Sequence, residues 1–171
     1  MKTKTSTTLQ KEIRAWVILF IVFLVLSGIT AFPLVTELNF LDLHAGGLPE
    51  FLREWIHRVN EAVTTTNEKY PFLSYGTDWL AFAHLVIATA FIGVLKDPVK
   101  NIWVIQFGII SCLMVIPLAL IAGHYRGIPF FHQLVDCSFG IIGLVPLLVV
   151  MKKITLLTPL SNLNVHTHEK K

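Results

Sequence analysis

Apolar residues fall in four long runs, over about 13–34, 77–95, 98–125 and 129–151, separated by short polar punctuation. About twenty helical residues, rising 1.5 Å each, cross a hydrocarbon core of about 30 Å. In lipid only helices or closed barrels satisfy every backbone polar group. Barrel strands would alternate polar and apolar over about ten residues, and these runs do not. The pattern predicts an all-α, polytopic membrane protein: four transmembrane helices in an up-down bundle, forming one domain over residues 1–171.

The segment between the first two runs has a different period. Leu48, Phe51, Leu52, Trp55, Ile56, Val59, Ala62 and Val63 recur at helical spacing, with Glu50, Arg53, Glu54, Arg58 and Glu61 opposite. This predicts an amphipathic helix over about 48–63, lying along a membrane surface or capping the bundle. His57 falls on its polar side, where it is read as solvated. After it, Tyr70, Phe72, Tyr75 and Trp79 fit an interfacial aromatic belt.

Turn chemistry divides the remaining runs. In Lys96-Asp97-Pro98, Asp97 is an expected N-cap and Pro98 an expected first helical residue. Gly127 is suited to ending the third helix, and Pro129 to starting the fourth. Pro117 and Pro146 fall inside runs and are expected to kink them.

Charge sets the orientation. The N-terminal tail, the Lys96–Lys100 turn and the C-terminal tail carry Lys2, Lys4, Lys11, Arg14, Lys96, Lys100, Lys152, Lys153, Lys170 and Lys171; the other side carries Arg53, Arg58, Lys69 and Arg126. Positive residues stay inside, so both termini are expected in the cytoplasm and the amphipathic helix outside the cell. The run 15–36 continues past any acceptable cleavage site, which predicts an uncleaved span and not a signal peptide. A net charge of +3 scattered at span ends argues against nucleic-acid binding. Composition agrees with this class: 54% hydrophobic, 15% charged, with a mean hydropathy of +0.66. Cys112 and Cys137 lie in spans without ligand spacing and read as small apolar residues.

Against that background Asp136 stands out, because a carboxylate at the centre of a membrane helix costs about 2.5–3.5 kcal/mol on insertion scales. Counted from the outer ends of their spans, Asp136 and His84 both lie roughly 10 Å deep. His84 shares a face with Ala81 and Ala88; Asp136 shares one with His132, Gly140 and Gly143. Small residues mark surfaces where membrane helices approach closely. The expected site is an outward-facing polar pocket of His84, His132, Gln133 and Asp136, with Asp78, His124 and Arg126 at its mouth. The same pair can serve only to fix helix register through an interhelical hydrogen bond.

Three functions fit these residues. One is a pocket for a hydrophobic or amphipathic ligand, such as a quinone or lipid, with His84 and Asp136 at its polar end; proton transfer would then be available to the pair. The second is a haem b protein with axial ligands from His84 and either His132 or His124; a metal site of His84, His132 and Asp136 is a related option. The third is an accessory or assembly subunit that contacts a membrane partner or a second copy and has no site of its own. No cofactor is specified by any motif. The chain resembles four-span sterol isomerases in layout alone. The strings GTDWLAFAH (76–84), KDPVKNIWV (96–104) and RGIPFF…VDCSFG (126–140) resemble those of an uncharacterised group of small four-span bacterial membrane proteins. That likeness implies a bacterial inner membrane and no particular activity.

Overall fold

The computed structural model describes residues 6–168, with side chains described for 6–159. The distal basic residues at either terminus, Lys2, Lys4, Lys170 and Lys171, lie outside that range. Six helices follow in order: α1 (Ser6–Ala31), α2 (Leu34–Leu43), α3 (Glu50–Lys69), α4 (Tyr75–Lys96), α5 (Ile102–Tyr125) and α6 (Phe130–His168), with short 3-10 turns at Ala45–Gly47 and Pro71–Leu73. No strand occurs among the described residues. Four segments are long and apolar enough to cross a membrane: Ser6–Ala31, Pro71–Lys96, Ile102–Tyr125 and Phe130–Pro159.

Several boundaries differ from the sequence expectation. The first helix ends at Ala31. Phe32 and Pro33 form a turn there, and Pro33 cannot donate a helical hydrogen bond. A second helix then begins at Leu34, a segment for which no helix was expected. The amphipathic helix spans Glu50–Lys69, not 48–63, with Pro49 as its N-cap residue. Asp97 does not cap α5. Its Oδ1 accepts the Lys100 N–H at 3.0 Å, closing a separate turn, and Asn101 takes the N-cap position. The fourth span continues without a break beyond Lys152 and Lys153. Pro117 and Pro146 both lie within continuous helices.

The chain divides into two compact units, one running up to Val22 and again from Thr89, the other Phe23–Ala88. The first combines the start of α1, the end of α4, α5 and α6. Its core is aliphatic and aromatic: Ile13, Val17, Phe91, Val94, Ile105, Leu147, Val150 and Ile154 are sealed from solvent. Phe20 and Phe91 meet with ring centroids 4.8 Å apart. Glycines let the helix backbones close. A Cβ on Gly140 would stand 2.5 Å from the Cys112 carbonyl oxygen, and one on Gly143 would stand 2.9 Å from the Cys112 sulfur. The Asp136-bearing helix therefore packs on α5 along its expected glycine face. Lys153 pairs with Glu12 at the edge of this core.

The second unit holds the end of α1, α2, α3 and the start of α4. Neither α2 nor α3 contains a fully buried residue. Its tightest contact is Gly28, whose Cβ position lies 2.9 Å from the Ala81 carbonyl oxygen and 3.2 Å from His84 Cβ. Ala81 and Ala88 are buried, so the small-residue face of α4 is a packing face, as its spacing implies.

Candidate functional site

In the second unit α3 runs to Lys69, a turn over Pro71–Leu73 follows, and α4 starts at Tyr75. Side-chain and backbone hydrogen bonds hold this turn. Ser74 Oγ donates to Asn67 Oδ1 at 2.7 Å, and the Ser74 carbonyl accepts the N–H groups of Thr77 and Asp78 at 2.9 and 3.1 Å. Asp78 thus sits in the first turn of α4, where the helix dipole favours a negative charge.

This arrangement leaves a cleft of about 610 Å³, within the usual range of ligand pockets. Phe32, Leu34, Val35, Val63 and Leu73 supply apolar lining. Thr36, Thr66, Asn67, Ser74, Thr77 and Asp78 supply polar lining, with Asp78 half-buried as its one carboxylate. A lining that combines apolar side chains with hydroxyl, amide and carboxylate groups suits an amphipathic molecule. The carboxylate accepts hydrogen bonds from a hydroxyl or ammonium; the threonine hydroxyls can donate or accept.

Of the residues expected to form the site from sequence, Asp78 lines this cleft. His84 lies on the same face of α4 as Thr77, two turns and roughly 10 Å further along the helix. Its Nδ1 is 2.8 Å from the Leu80 carbonyl, which leaves Nε2 for any other partner. His84 belongs to the second unit and Asp136 to the first.

The remaining candidates cluster in the first unit. His132 Nε2 approaches Asp136 Oδ1 at 3.8 Å, each side chain about two-fifths exposed, so the expected i,i+4 neighbours do meet. Gln133 is buried and its Nε2 donates to the Ile128 carbonyl at 2.7 Å. The Gln133 side chain also fills the space beside Gly123. That contact ties the α5–α6 connection to α6, which is a structural task. The left-handed backbone of this turn falls at Gly127, with φ of 67°, as a helix-ending glycine requires. His124 is exposed, its ring edge-on to Tyr125 at 5.9 Å; Arg126 is exposed.

One His–Asp pair was not foreseen. His57 Nδ1 lies 3.0 Å from Asp42 Oδ2, and Asn60 Nδ2 donates to the same oxygen at 3.1 Å. These contacts clip α3 to α2. The hydrogen bond to His57 holds the Asp42 carboxyl below its ordinary value, and the bond to Asp42 raises the His57 imidazole above its own. His57 is therefore exposed but not merely solvated. Its partner is fifteen residues away on a helix that the hydrophobic pattern did not reveal.

Among the described residues, no group of three or more His, Cys, Asp or Glu side chains is placed to hold a metal ion. No protein-family model, curated protein or solved structure matches the chain.

Proposed function

We propose that the chain is a four-span integral membrane protein that binds an amphipathic small molecule, of the lipid or quinone class, in the cleft between α2, α3 and the start of α4. The supporting observation is that cleft: about 610 Å³, with an apolar lining and a polar lining that includes Asp78. The polar head of the ligand sits among Thr66, Asn67, Thr77 and Asp78, and its apolar part lies along Phe32, Val35 and Val63.

In this reading the four apolar helices cross a bacterial inner membrane with both termini in the cytoplasm, because positive residues remain on that side. The cleft then opens near the outer leaflet, at the depth of lipid headgroups. His84 lies one step deeper on the Thr77 face and is available to a ligand through Nε2. The reading assigns ligand binding and no reaction.

The test is mass spectrometry on protein purified in mild detergent. Wild type is expected to carry a hydrophobic small molecule at near-stoichiometric level, and Ala62→Trp, which fills the cleft from α3, is expected to lose it. Equal ligand content in the two proteins would sink the assignment to this cleft.

A further inference from the structure

A second cleft, of about 430 Å³, lies wholly in the first unit. Gln10 of α1, Leu157 of α6 and the α4–α5 turn from Lys96 to Lys100 line it. We propose that this cleft is a binding site for the phosphate headgroup of an anionic phospholipid.

The turn is prearranged for a ligand. Asp97 Oδ1 accepts the Lys100 N–H at 3.0 Å. Asn101 Nδ2 donates to the carbonyls of Gly93 and Asp97 at 3.0 and 2.9 Å, and the Asn101 amide also fills the space beside Gly93. Side chains thus lock the backbone between two long helices in one conformation. Binding there does not have to order it, which lowers the entropic cost.

Charge selects an anion. Lys96 and Lys100 both border the cleft, and Lys96 makes no ion pair among the described residues. The one acid at the cleft, Asp97, has Oδ1 engaged by the backbone and Oδ2 at 3.6 Å from Lys100 Nζ. An incoming phosphate competes with that exposed pair, which is weak. The Gln10 amide supplies a further neutral donor.

Depth selects a lipid over a soluble anion. The cleft sits where two apolar spans end, and Trp103, in the first turn of α5, is 59% exposed. Indole rings favour the headgroup level of a bilayer. Leu157, Pro98 and Val99 give the cleft apolar walls for the glycerol and first methylenes of a lipid. Basic pockets between membrane helices are recognised headgroup sites.

The experiment is native mass spectrometry of the full chain released from detergent, titrated with phosphatidylglycerol, with phosphatidylcholine and with inorganic phosphate. Wild type is expected to keep phosphatidylglycerol adducts well above phosphatidylcholine adducts. The double variant K96Q/K100Q should weaken phosphatidylglycerol binding by roughly thirtyfold, as expected for two lysines near an anionic surface. K96R/K100R should restore most of it, and R126Q, at the far end of α5, should leave it unchanged. Equal affinity for the two lipids, or unchanged affinity in K96Q/K100Q with the fold intact by thermal melt, would overturn the site. Inorganic phosphate displacing the lipid at equal concentration, in a manner lost with the two lysines, would assign it to a soluble phosphate and overturn the lipid.

Discussion

The two units solve different problems. In the first, interdigitated Phe20, Phe91, Ile105, Leu147 and Val150 and the glycine contacts of α6 on α5 leave little free volume. In the second, α2 and α3 bury nothing fully, and hydrogen bonds between polar side chains hold them: Asp42 with His57 and Asn60, Ser74 with Asn67. The contrast teaches where a ligand can enter. If these helices cross a membrane, as proposed, no hydrophobic drive brings them together there, and close packing supplies the stability. The packed core itself is rigid, and the first unit's own smaller cleft lies at the α4–α5 turn, beside Gln10 and Leu157. A region tied by a few polar contacts opens locally at lower cost, and it is there that the larger cleft lies.

That comparison breaks most visibly at Gly140. Replacing it with Val forces a side chain against the Cys112 carbonyl, and overpacking of this kind costs about 1–3 kcal/mol or more. The expected result is a large drop in melting temperature in detergent. Phe91→Ala follows. Its ring is fully buried, and in the proposed membrane setting lost packing should cost about 2–3 kcal/mol, below or at the low end of the range in water, because lipid removes much of the transfer contribution. Away from the Gly28 contact, a glycine of the second unit tolerates a side chain: Gly46→Ala meets open space and should leave the melting temperature within about 1 °C, the scale of a substitution touching nothing.

Smaller effects sharpen the comparison. Asp78→Asn should change ligand content while altering the stability of ligand-free protein by less than about 1 kcal/mol, since the residue borders a cleft and not a core. A loss of folding as severe as that of Gly140→Val would instead make Asp78 a structural residue.

The smallest predicted effect is the pH response of the α2–α3 clip. His57 has a raised value, so its contribution is present below its ordinary value near 6.5 and fades as pH climbs through the raised one. Asp42 has a lowered value, so its contribution is present above 3.8 and fades as pH falls through the lowered one. The clip is therefore strongest between about 4 and 6.5. Hydrogen exchange of α2 amides should be slowest in that window, after correction for intrinsic rates. His57→Gln should flatten the dependence; a profile unchanged in that variant would remove His57 from the clip.

Much of this architecture is legible in the chain. Long uncharged runs announce the four apolar helices because they lack the polar–apolar alternation of barrel strands, the other backbone arrangement that is self-sufficient in lipid. The Ala81/Ala88 and Gly140/Gly143 spacings announce packing faces because helix periodicity alone sets them. The α2 helix is not announced. Its sequence LVTELNFLDL follows Pro33 and lacks a polar face, so it reads as an untidy continuation of the first run. Missing α2 hides the Asp42–His57 pair, which exists only once the chain folds back. The cleft is hidden for a related reason. Thr66, Asn67, Ser74 and Thr77 are ordinary loop and cap residues in sequence, and only the turn at Pro71–Leu73 brings them to one cleft. Asp136 stands out in the sequence as a charge within an apolar run, and in the structure it approaches His132 on its own helix.

The most direct test of the central claim is quantitative lipid and quinone analysis of wild type against Ala62→Trp, both purified in mild detergent and both verified as folded by thermal melt. The account predicts one hydrophobic molecule per wild-type chain and a clear loss in the variant. A wild-type protein free of bound small molecules, or a variant that retains the same amount, would contradict it.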